Sequence, residues 1–153
     1  QASQDEYETA RAVCQLIAEN SAVLLCGGLG GVMEAACRGA QEKGGTTVGI
    51  ISGTGDGNPY LGIVVRTGLG HGRNVLVAQS GDALIAVGGS YGTLSELAYA
   101  SLYDRPLICC TFAGGWSAEF ARSPEASRAG GPVYIAQTAD EACRHLASIF
   151  GNR

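Results

Sequence analysis

With 153 residues, 46% of them hydrophobic, the chain reads as one domain able to bury its own core, and it has no apolar run long enough to span a bilayer. Charged residues make up 16%, the net charge is −4 and Lys and Arg nowhere cluster, so the electrostatic footprint of a nucleic-acid binder is missing. Glycine, at 24 residues, is far above ordinary usage in a chain of normal hydrophobic content, which points to many tight turns rather than disorder. The opening Gln1-Ala-Ser-Gln-Asp5 is unlike a signal peptide, and a soluble, cytoplasmic protein is expected. Cys14, Cys26, Cys37, Cys109, Cys110 and Cys143 fall inside apolar patterns without C-x-x-C spacing and read as small buried hydrophobes. His71 and His145 are isolated, so no metal site is expected.

Ser3 and Glu6 have capping-box spacing, and the helix they open carries Ala10, Val13, Cys14, Ile17 and Ala18 on one face. Residues 22–26 form a buried strand, and the glycine turn 27–31 leads into a second helix near Val32. Its inward face of Ala35, Ala36, Gly39 and Ala40 is small enough to lie close to a sheet. A strand at 46–51, a surface loop at 52–59 that is either a lid or inert, and a short strand at 63–65 follow. Thr67 to Gly72 leads to a helix opening at Arg73-Asn74. The helix dipole disfavours a cation at that end, so an anionic partner is expected near Arg73. Residues 83–87 read as a buried strand, followed by a glycine turn and a helix with Leu94, Leu97, Ala98, Ser101 and Leu102 on its core face and Tyr99 and Tyr103 on another side. A strand at 107–111 places Cys109 and Cys110 on opposite faces. Trp116 in the next loop covers either a ligand base or the core. Residues 117–131 are a loop with room for one short helix, residues 132–136 are a last strand, and Thr138 to Glu141 cap a last helix with Ala142, Leu146 and Ile149 inward. The alternation predicts an α/β fold: an open parallel sheet with helices on both faces, in three layers, over a single domain 1–153.

Ligands bind such sheets beyond the carboxyl ends of the strands. Gly88, Gly89 and Gly92 let a ligand approach the main chain, and the helix behind them turns its unsatisfied N–H groups and positive dipole end toward that spot. Phosphate is the ligand chemistry this arrangement suits, with Thr93 adding a hydroxyl. Glu96, one turn on, is either the partner of a ribose diol or a carboxylate favoured by the dipole alone. A dinucleotide fingerprint is a poor fit, because Gly28-x-Gly30-x-x-Met33 lacks its third glycine and no acid follows about 20 residues on. A mononucleotide or another phosphorylated small molecule fits better.

Gly88-Gly-Ser-Tyr-Gly-Thr-Leu-Ser-Glu96, with Gly27-Gly-Leu-Gly-Gly-Val-Met33 upstream and Arg73 between them, resembles the LOG-like family, often labelled "possible lysine decarboxylase". That resemblance implies a Rossmann-like fold that binds nucleoside monophosphates. In the cytokinin-activating branch it implies a phosphoribohydrolase, with catalytic roles at Glu96 and Arg73; nothing here looks like a pyridoxal-phosphate lysine site. Val87, Asn74 and Glu34 depart from the hydrolase pattern and are similar to the branch of molybdenum cofactor carriers, which bind a phosphorylated pterin. The resemblance further implies ligand contacts from Gly28, Gly30, Gly31, Met33, Arg73, Asn74, Gly88, Gly89, Ser90, Gly92, Thr93 and Glu96. The ligand would be AMP, phosphate or a molybdopterin-type cofactor, with no cofactor required, and the protein would be a homodimer or homotetramer. The family's first strand, ahead of the opening helix, has no counterpart in this sequence.

Overall fold

Ser3 opens the first helix, α1 (Gln4–Glu19), by the reciprocal bonds its spacing predicts: Glu6 N–H donates to the Ser3 hydroxyl at 3.2 Å, and Ser3 N–H to the Glu6 carboxylate at 2.7 Å. Ala10, Val13, Cys14 and Ile17 form its buried face. The computed structural model describes residues 2–151, which divide into two compact units, the first ending at Val77 and the second beginning at Ala78.

In the first unit, β1 (Leu24–Cys26), α2 (Val32–Glu42), β2 (Thr47–Ile51) and β3 (Ile63–Arg66) follow α1. The strands are parallel in the order β1-β2-β3, with Leu24 opposite Thr47 and Val48 opposite Ile63. A 3-10 turn, Gly70–Arg73, then feeds α3 (Asn74–Ser80). The second unit repeats the scheme with β4 (Leu84–Val87), α4 (Tyr91–Leu102), β5 (Leu107–Cys110), α5 (Gly115–Arg122), β6 (Val133–Ala136) and α6 (Ala139–Gly151). Its parallel order is β4-β5-β6, and all four residues of the central strand β5 are buried, Cys109 and Cys110 among them. Strand alternating with helix around parallel sheets is the α/β, Rossmann-like fold expected from the pattern.

Three local readings change, on α2, on α4 and at the end of β5. The small face of α2 meets α1 at its tightest point rather than a sheet: a Cβ on Gly39 would fall on the Arg11 carbonyl. The Glu42 carboxylate ties the same two helices, accepting from Arg11 Nε at 2.9 Å, Gln15 Nε2 at 2.7 Å and Arg38 Nε at 3.1 Å. On α4, Leu97 and Ala100 are the buried positions and Tyr99 packs against that core, whereas Ala98 is exposed and Leu102 is 75% exposed. That helix is apolar on most sides, so periodicity cannot select its inner face; packing against its own sheet does. The 117–131 stretch carries most of α5 and a 3-10 turn, Ala126–Arg128, while Thr111 leaves the strand for another 3-10 turn, Thr111–Ala113.

The start of α5 is fastened to the turn after β4. Ser117 N–H donates to Gly88 O at 3.0 Å and Trp116 N–H to Gly89 O at 3.2 Å, while Gly88 N–H donates to the Ser117 hydroxyl at 3.0 Å. That hydroxyl is fully buried and has Cys110 O at 2.9 Å and Gly114 O at 2.7 Å for its own proton. A Cβ on Gly115 would lie 2.7 Å from Gly89 O, so only glycine lets the helix seat this closely, and its φ of +56° suits the same residue.

Gly39→Ala is expected to lower stability by about 1–3 kcal/mol, because the backbone collision with α1 outweighs the roughly 1 kcal/mol gained in helix propensity. Ser117→Ala strands the buried Gly88 N–H and is expected to cost about 1–3 kcal/mol. Denaturant midpoints of both variants, against an exposed Glu119→Ala control near neutrality, check these values.

Candidate functional site

Two glycine turns carry the residues singled out in the sequence, one in each unit. In the first unit the turn after β1 has Gly28 at φ +71° and Gly31 at φ +69°, conformations that side chains rarely adopt. Gly28 is buried, Gly30 is exposed, Gly31 is the N-cap of α2 and Met33 is half-buried in its first turn. Glu34 lies in that same turn and supplies the negative charge that the helix start attracts. The loop 52–59 is no loose lid at its end. Asn58 is 7% exposed; its N–H donates to Gly28 O at 2.8 Å, its side-chain amide donates to Leu29 O at 3.1 Å, and its Oδ1 accepts from Tyr60 N–H at 3.0 Å.

Arg73 ends the 3-10 turn that precedes α3 and is 5% exposed, instead of reaching into solvent from a helix start. Its guanidinium lies across Gly27, where a Cβ would overlap it, and Nη1 donates to Asn74 Oδ1 at 2.6 Å. Asn74, also 5% exposed, thus positions the guanidinium from the next residue. The first unit therefore brings Arg73 and Asn74 to the turn after β1, which the linear sequence does not reveal.

In the second unit Gly88 has φ +58° and Gly89 φ +93°. Thr93 folds back over Gly89, where a Cβ would strike its side chain. Ser90 is the N-cap of α4 and is exposed, yet its hydroxyl makes no capping bond. That is unusual for a residue type that caps well, and it leaves the amides of the first turn, Tyr91, Gly92 and Thr93, without a side-chain cap at Ser90. The neighbouring start of α5 differs in kind, since Trp116 and Ser117 direct their amides to Gly89 and Gly88. Both backbone groups of Gly88 are thus engaged within the protein, and its part in the turn is to hold the shape. Gly92 and Glu96 are half-buried on α4, and Tyr91, 79% exposed, faces Trp116 with ring centroids 6.3 Å apart.

Asn58, Gly115 and Ser117 escape the sequence reading. Asn58 sits before Pro59 in a glycine-rich stretch, a turn signal without a stated partner, and Ser117 follows a Gly-Gly pair at a helix start; each acts through a strand-end turn far off in sequence. Among the described residues, no group of three or more His, Cys, Asp or Glu side chains could hold a metal ion, and no helix is long and apolar enough to cross a membrane.

Comparison with known proteins bears on the family and the fold. An uncharacterised protein of Archaeoglobus fulgidus is 50% identical over 98 residues, 63% of this chain and 65% of the relative, so the match spans just under two thirds of that protein's length. The solved molybdenum cofactor binding protein of the phototrophic bacterium Rippkaea orientalis is 32% identical, with 98% of this chain and 91% of that one covered at a TM-score of 0.83. The molybdenum cofactor carrier protein of Chlamydomonas reinhardtii is 29% identical over 98% of this chain and 91% of its own, with a TM-score of 0.86. The model of the SLOG cluster4 family matches residues 1–143, and the chain belongs to that family.

Proposed function

We propose that this protein binds a phosphorylated cofactor-type ligand, a molybdopterin-like pterin or a nucleoside monophosphate, with its phosphate at the start of α4. The observation that carries the reading is the contrast between two helix starts in one unit. The amides of α5 are spent on Gly88 and Gly89, whereas Ser90 leaves α4 without a side-chain cap behind a glycine turn. Amides and the positive dipole end there suit a dianion, and the Thr93 hydroxyl stands beside them. Tyr91 and Trp116 offer two aromatic faces for the flat ring of the same ligand. Similarity to molybdenum cofactor binding and carrier proteins supports a ligand of this class that is held and passed on. Within the first unit, Gly28, Gly30, Gly31, Met33, Arg73 and Asn74 make a candidate contact set of their own, with Arg73 supplying positive charge.

A second reading keeps the same ligand class and adds cleavage. Glu96 is half-buried one turn along α4 from Gly92, and a carboxylate in that position would stabilise positive charge developing on a ribose during loss of its base. We further propose that copies pair through the end of α4, where Leu102 and the following Tyr103 are 75% and 39% exposed.

If phosphate is the anchor, AMP binds at least about tenfold tighter than adenosine in calorimetric titration, a difference of roughly 1.4 kcal/mol, and Thr93→Val narrows the gap. Equal affinity for the two would remove the phosphate site. Incubation with excess AMP separates holding from cleaving: no free adenine by chromatography is expected, whereas release that disappears in Glu96→Gln would establish the phosphoribohydrolase instead. Light scattering is expected to give a dimer or tetramer that Leu102→Glu dissociates.

A further inference from the structure

Cys26, the last residue of β1, and Cys37, on α2, are both free thiols with their sulfurs 3.5 Å apart. Each sulfur is also held to the glycine turn. Gly28 N–H reaches Cys26 Sγ at 3.3 Å, and the Asn58 side-chain amide reaches Cys37 Sγ at 3.7 Å while also donating to Leu29 O. A hydrogen bond links the two thiols. Donation from Cys26, helped by Asn58, lowers the Cys37 thiol pKa, and the same bond together with burial raises that of Cys26. The donors thus favour ionisation of Cys37 over that of Cys26, and Cys26, only partly buried, is the sulfur nearer solvent.

We infer that Cys26 and Cys37 form a reversible intramolecular disulfide under peroxide, and that this bond loosens the Asn58 anchor of the glycine turn. With hydrogen peroxide, one sulfur attacks an oxygen and the O–O bond breaks. Hydroxide leaves with a thiol proton as the first water, and a sulfenic acid remains. The second sulfur attacks the first, the S–O bond breaks and a second water departs with the other proton. Two thiols lose two electrons, and peroxide is reduced to two waters. Joining the sulfurs brings them from 3.5 Å to about 2 Å, which shifts both relative to their donors, Gly28 N–H at 3.3 Å and the Asn58 amide at 3.7 Å. Asn58 then loses one of the groups that orient its amide toward Leu29. The device requires nothing of the ligand and acts wholly within the first unit.

Native protein treated with peroxide is expected to lose two of its six thiols and the mass of two hydrogens, both restored by dithiothreitol. Trypsin leaves Cys14, Cys26 and Cys37 in one peptide, residues 12–38, so fragmentation after alkylation should show the label on Cys14 alone. Amide exchange of Gly28 to Gly31 and of the 52–59 loop is expected to accelerate in the oxidised form by about tenfold, equivalent to 1.4 kcal/mol. Label on Cys26 or Cys37 after peroxide, or unchanged exchange despite the disulfide, would overturn the inference. Cys37→Ser should abolish the mass change; the mapping on the unaltered chain stands on its own if that variant does not fold.

Discussion

A parallel strand that ends in a glycine turn leaves backbone N–H and C=O groups at the point where a ligand would approach, and something must satisfy them. Both units meet this constraint alike. A residue from much later in the chain reaches back and takes the turn's polar groups: Asn58 for Gly28 and Leu29, Ser117 for Gly88. An unsatisfied buried group of this kind costs about 1–3 kcal/mol, so these two side chains set the shape of the turns more firmly than the glycines, which only permit it.

What remains after that accounting is informative. In the second unit the amides at the start of α5 go to the protein, while the start of α4 has a serine that does not cap it. In the first unit Glu34 already answers the dipole of α2. The proposed anion site therefore rests on this contrast among helix starts rather than on glycine content, which is high at several turns. Arg73 follows the same logic of close approach, since its guanidinium fits over Gly27 only because that residue has no side chain.

The lone cysteine patterns of the sequence look inert, and four of the six need no other reading. Cys26 and Cys37 differ because strand and helix bring two sulfurs together beside the anchor of a turn, so a packing pair doubles as redox chemistry.

Read by itself, the sequence determined the order of strands and helices, the α/β class, the caps at Ser3 and Thr138, and the glycine turn and helix at 88–96, because each rests on local periodicity or on residues within a few positions. Family membership followed from those same motifs. Only the tertiary structure decided that α2 seats Gly39 against α1, that Leu97 and Ala100 rather than Leu102 face the core, that Arg73 is buried over Gly27, and that Asn58 and Ser117 hold the turns. These depend on contacts between residues up to 46 positions apart in the chain, Gly27 and Arg73 being the farthest. Periodicity carries no information on such pairs, whereas close packing and the need to satisfy buried backbone groups do.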